Sequence, residues 1–137
     1  MIDISSASEV ARATLYNHYR DKGAVVEALL ASEVSRIIEI AKIAGTPADA
    51  LESLSIAISG DRALAGLREY DPALVAQLLI HSEHPLYLEL ARTVFALTQS
   101  QSATGLAMRW LLGQVVQPLT PEQSREQAAL LVENTLF

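Results

Sequence analysis

The stretch ARATLYNHYRDK, residues 11–22, gathers two of the four tyrosines, one of the three histidines, two arginines and one of the two lysines. The rest of the chain is largely aliphatic. Hydroxyl, imidazole and ammonium groups donate hydrogen bonds to phosphate oxygens and so set register on a nucleic-acid backbone. Arginine and asparagine bond base edges in the major groove. Leu15 and Tyr19 are four apart and share one face of a helix. With Val10 they supply the apolar edge that a short helix needs in order to be held by its neighbours. Arg12, Ala13, Thr14, Tyr16, Asn17 and His18 then occupy the other sides. Lys22 stands at the N-terminus of the next helix, where its charge and the free backbone N–H groups together suit one phosphate. A single turn over Ile4–Ser8, a break, and a second short helix have helix-turn-helix proportions. The competing reading is a polar, aromatic helix that is plain surface.

The elements around this patch are marked out by local punctuation. Val26, Leu30, Val34, Ile37 and Ile40 recur at spacings of four and three, one face of a long amphipathic helix that Asp21 can cap and Gly45 can end. Thr46, Pro47 and Asp49 spell a helix start, and that helix should run to about Ser59. A short helical piece is expected near Ala63 to Glu69. Asp71 and Pro72 restate the start signal, and Pro85 closes that helix by His84. PLYLELARTVFALTQ continues as a helix. LAMRWLLGQVV is apolar nearly all round, which predicts a deeply buried or interface helix over about Ala103 to Val116. Thr120, Pro121 and Gln123 begin the last helix, which carries Ala128, Leu131, Val132 and Leu136 on one face. Strand-period alternation is absent, so the predicted class is all-α.

With 137 residues, half of them apolar, the chain can bury a sizeable core. It has no cysteine, which excludes disulfides, thiolate zinc sites and thiol catalysis. The N-terminus has no signal-peptide pattern and no apolar run is long enough to span a bilayer. The expectation is a soluble, cytoplasmic protein. The net charge of −6 opposes non-specific nucleic-acid binding. The acid is unevenly spread, however: residues 1–36 balance at −1 and residues 37–137 at −5.

From Ile4 to about Leu30 the sequence ISSASEVARATLYNHYRDKGAVVEALL closely resembles the DNA-binding domain of the TetR family of bacterial transcriptional regulators. Members there typically read as an isoleucine, small residues, then GVSRGTLYRYFPSKEALL. Val10, Arg12, Thr14, Leu15, Tyr16 and Lys22 align without a gap, and Tyr19 keeps the aromatic where the family has phenylalanine. The resemblance implies that Val10, Leu15 and Tyr19 are core. It makes Thr14, Tyr16, His18 and Lys22 phosphate contacts, and turns Arg12, Ala13 and Asn17 toward the groove. Departures are His18 for the usual tyrosine, Glu9 for the turn glycine, Ala11 for a capping serine or threonine, and Gly23 for a helix former. Family members also begin with a further stretch that forms a first long helix. Only three residues precede Ile4 here, so the expectation is an incomplete head belonging to a longer parent protein.

The expected organisation is therefore residues 1–45 as a partial helix-turn-helix DNA-binding domain with a connecting helix, and 46–137 as a helical effector-binding and dimerisation domain. The last two helices form an antiparallel hairpin with surplus apolar surface, suited to a two-fold homodimer interface; the alternative is that both pack on the monomer core. Tyr70, Gln77, His81, Tyr87, Phe95, Met108, Arg109 and Trp110 are candidate lining for an unknown small-molecule effector, each with ordinary core or surface as its alternative. His81, Glu83 and His84 have a spacing reminiscent of metal ligands, but there is no HExxH pattern and Pro85 disturbs the second histidine. Nucleophile elbow and glycine-rich phosphate loop are both missing, so neither an enzyme nor a cofactor is expected. The resulting expectation is an effector-responsive repressor that binds a double-stranded operator as a dimer, the effector favouring a state whose heads are wrongly spaced for DNA. The alternative is a helical ligand-binding and dimerising module that has lost DNA binding.

Overall fold

The computed structural model describes residues 4–80 and 83–135, and of 4–22, 78, 134 and 135 the backbone alone. Among the described residues there are seven α-helices and no strand, so the all-α class holds. The helices are α1 (Ile4–Lys42), α2 (Pro47–Ser59), α3 (Arg62–Tyr70), α4 (Pro72–Ile80), α5 (Pro85–Thr98), α6 (Gln101–Val116) and α7 (Pro121–Thr135). The chain divides into two compact units, Met1–Ser32 and Glu33–Phe137. Ile37, Ile38 and Ala41 of α1 belong to the core of the second unit.

The helix starts follow the local chemistry of the sequence. Thr46 Oγ1 accepts the Asp49 N–H at 3.1 Å with Pro47 in the first helical position. Asp61 Oδ1 accepts from Leu64 N at 2.9 Å and Asp71 Oδ1 from Leu74 N at 3.2 Å. Thr120 and Gln123 exchange bonds reciprocally: Thr120 Oγ1 accepts from Gln123 N at 3.2 Å, and Gln123 Oε1 from Thr120 N at 3.0 Å. Each cap satisfies a backbone donor that a helix end otherwise leaves without a partner. His84 caps α5, its Nδ1 accepting from Leu86 N at 3.1 Å, so the break foreseen at Pro85 is made partly by the histidine itself. Gln99, at φ 55° in the left-handed region, ends α5, and Ser100 caps α6 through Ala103 N. That start lies slightly ahead of the predicted Ala103.

The beginning of the chain departs from expectation. The sequence predicts two short helices and a turn ahead of a third helix, whereas the backbone of α1 is helical without a break from Ile4 to Lys42. Residues 4–22 contain neither proline nor glycine. Where the TetR pattern has a turn glycine and a capping hydroxyl, Glu9 and Ala11 offer good helix formers. Once a helix is nucleated, each such residue adds a backbone bond. Asp21 accordingly lies within the helix instead of capping it.

The core of the second unit lies around α2. Ala50, Leu51, Leu54 and Ile58 pack with Ile37, Ile38 and Ala41 of α1, Leu90 and Val94 of α5, Ala107, Met108 and Leu111 of α6, and Ala128 of α7. Fully burying a leucine, as at Leu51, Leu54 and Leu111, contributes about 1.5–3 kcal/mol each. The expected α6–α7 hairpin is not the main contact of α7, which packs chiefly on α2. Small residues at the crossing, Ala50 and Ser55 on α2 with Ser124 and Ala128 on α7, are all buried and let the two backbones approach. Trp110 Nε1 still reaches across from α6 to donate to Gln127 Oε1 at 2.7 Å.

Candidate functional site

The seven residues expected to meet DNA, Arg12, Ala13, Thr14, Tyr16, Asn17, His18 and Lys22, fall on the helical backbone of α1; their side chains lie outside the described residues. The eight candidate effector-lining residues are spread over several helices. Tyr87, Met108 and Trp110 come together, but in the core: Met108 is buried, and Tyr87 and Trp110 pack partly buried against the same cluster. Tyr70, Phe95, Gln77 and Arg109 are exposed, Tyr70 at the end of α3 with 81% of its surface open. Arg109 folds back along α6, its Nη1 3.4 Å from the Gly105 carbonyl. His81 lies outside the described residues.

A charged cluster that sequence reasoning missed stands at the start of α3. Arg36 Nη2 on α1 is shared between Glu33 Oε2 at 3.0 Å and Asp61 Oδ2 at 3.4 Å. The Asp61 side chain is 1% exposed, Glu33 25% and Arg36 51%. The cluster borders an open recess of about 410 Å³, lined also by Gly60, Arg62 and Ala63. Burial, followed by a hydrogen bond with Glu33, pushes the Asp61 carboxyl above the usual carboxylate range, against the pull of the Leu64 N–H. That same hydrogen bond and the Arg36 guanidinium hold Glu33 below it. Glu33 in turn holds the Arg36 guanidinium more firmly protonated. Glu33 and Arg36 are an ordinary helical pair at a spacing of three, and Asp61 reads as an ordinary cap. No periodicity announces that positions 25 apart will meet.

Two further arrangements matter. Ser55, Gln114 and Ser124 are buried polar groups bonded to one another, and among the described residues no buried side-chain nitrogen or oxygen lacks a partner. Opposite its buried face, α6 presents Ser102, Leu106, Arg109, Gly113 and Val116 outward, at spacings of four and three. Leu106 and Val116 are more than half exposed, as is Leu130 on α7.

Comparison of the chain with protein-family models, curated proteins and solved structures finds no match. The chemistry must therefore be argued from these side chains. Among the described residues no group of three histidine, cysteine or acidic side chains is placed to hold a metal ion. Nor is any helix among them long and apolar enough to cross a membrane.

Proposed function

We propose that the chain is a TetR-type DNA-binding transcriptional regulator, an effector-responsive repressor acting as a homodimer in the cytoplasm. The observation that carries this is the ungapped order Val10, Arg12, Thr14, Leu15, Tyr16 and Lys22, a spacing of apolar anchors and phosphate donors that few other tasks require. The outward row on α6 and the exposed Leu130 of α7 support the dimer: both helices keep apolar side chains in solvent that a two-fold copy could cover. In this reading Arg12, Ala13 and Asn17 face the groove and Thr14, Tyr16, His18 and Lys22 grip phosphates. An unidentified small molecule among the helices of 46–137 shifts the pair to a state that DNA does not accept. The protein binds and releases; it does not catalyse.

The test is fluorescence anisotropy of labelled promoter fragments, including DNA upstream of the protein's own gene. It would be run on the chain and on the complete product of that gene, across a salt series. Saturable, salt-sensitive binding to one near-palindromic fragment is expected of the complete product. Equal, weak affinity for every fragment by both proteins would overturn the proposal.

The unbroken helical backbone from Ile4 to Lys42 favours a second reading, a helical ligand-binding and dimerising module without DNA binding. A dimer in solution combined with no operator binding by either form would select it.

A further inference from the structure

We propose that α2 takes α7 from a second copy of the chain: two molecules exchange their last helix, a geometry of association that rests on the homodimer reading above and names the element that crosses.

The seat of α7 suits a helix that arrives from elsewhere. α7 packs chiefly on α2 and touches its neighbour in sequence, α6, far less. Ser124 Oγ lies 2.6 Å from Ser55 Oγ on α2, and Arg125 Nε meets Glu52 Oε1 at 3.4 Å. The tie to α6 is the bond from Trp110 Nε1 to Gln127 Oε1 at 2.7 Å. None of these contacts needs α6 and α7 to belong to the same molecule, so an exchanged α7 makes all of them. The balance between the closed and exchanged forms then falls to the hinge and to any surface that the exchange newly covers.

The hinge is residues 117–120, Gln-Pro-Leu-Thr, which are neither helix nor turn. Pro118 and Pro121 each disfavour helical backbone in the residue before them. Gln117 accordingly stands at φ −129° and ψ 89°. A hinge of this kind neither tightens into a compact turn nor fuses α6 and α7 into one rod. It is already close to the straightened form in which α7 reaches a second molecule. Leu119 N donates to Ser59 Oγ on α2 at 3.0 Å, so the hinge is fastened on the α2 side from there on and the crossing point falls at Gln117 and Pro118.

The newly covered surface lies beside that point. Val116 is the last residue of α6 and is 51% exposed. Exchange brings the ends of two α6 helices together at the crossing and gives Val116 an apolar neighbour, where a closed monomer leaves it in water. The occupant is a second copy for this reason: no other partner brings an α7 and an α6 end together.

The chain contains no cysteine, so introduced thiols have no rivals. The test is the full chain carrying both Glu52→Cys and Arg125→Cys, purified without unfolding and treated with a short bis-maleimide. Arg125 is exposed, Glu52 is partly so, and a surface ion pair of this kind contributes little to folding. The two positions meet in either form, so a link is made in either form. Exchange gives a covalent dimer on a denaturing gel; closure gives an internally bridged monomer. Chains carrying Glu52→Cys alone and Arg125→Cys alone, unfolded and refolded together, should also link to each other, and several-fold less when folded separately before mixing. A short glycine insert between Gln117 and Pro118 frees the hinge and should shift sedimentation equilibrium toward monomer. An internally bridged monomer from a protein that sediments as a dimer would overturn the exchange and leave the homodimer standing on another contact. An internally bridged monomer that also sediments as a monomer would remove both.

Discussion

Ser55 Oγ on α2 donates to Gln114 Oε1 on α6 at 2.6 Å, across 59 residues of sequence, at a point where both residues are almost fully buried. Ser124 Oγ of α7 lies 2.6 Å from the same serine oxygen, and Ser59 Oγ donates to Gln114 Oε1 at 2.7 Å. One amide oxygen and one hydroxyl thus fix three helices at a single height. Gln114→Leu strands buried hydroxyls and should cost about 1–3 kcal/mol in urea unfolding. Ser55→Ala and Ser124→Ala share a network, so the double variant should lose less than the two single losses combined. Strict additivity would show that the two serines act separately.

The reciprocal pair at the start of α7 makes a separable prediction. Thr120→Ala removes an acceptor for the Gln123 N–H and should lower stability by about 0.5–2 kcal/mol, read from the thermal midpoint. Thr120→Asp keeps an acceptor and should restore most of the loss. An alanine variant as stable as the parent would mean that solvent serves the helix end equally well.

The DNA reading is tested at single positions in the complete gene product. Tyr16→Ala and Lys22→Ala should weaken binding to every sequence alike. Each lost phosphate contact should also reduce the log–log salt slope by about 0.9. Asn17→Ala should instead change which operator is preferred. An unaltered salt slope in Lys22→Ala would remove that residue from the phosphate contacts.

The outward row on α6 predicts an association defect without a folding defect. Leu106→Glu or Leu130→Glu should shift sedimentation equilibrium toward monomer while leaving the unfolding midpoint of the isolated subunit nearly unchanged, since both side chains are already more than half exposed. Leu111→Ala, in the core, should do the reverse, costing about 2–5 kcal/mol of folding stability. Identical association in parent and both glutamate variants would place any subunit contact elsewhere.

What was legible in the sequence was local. A capping side chain, a proline in the first turn and an acid or amide three residues on act within one turn of backbone, so the starts at Thr46, Asp71 and Thr120 were plain in the sequence. The apolar face of α1 was equally readable, with Leu30 and Ile37 buried and Val34 partly so. Partnership was not. Periodicity shows that α7 has a face but not that the face meets α2, and it cannot tell a pocket wall from the interior, which is where Met108 sits. The meeting of Glu33 and Arg36 with Asp61 depends on where the α2–α3 turn falls in space. The start of α1 was misjudged because the TetR pattern supplied a turn, while Glu9 and Ala11 leave the backbone no local reason to make one.

The seating of α7 on α2 bears on how the molecule comes into being. Ser55 and Ser124 stand 69 positions apart, and Glu52 meets Arg125 across 73. During synthesis α2 emerges long before α7, so the part of the α2 surface that α7 covers stays open to other chains until residues 121–132 leave the ribosome. Closure is a late, long-range event, which puts the hazard of aggregation in the nascent polypeptide rather than in the finished subunit.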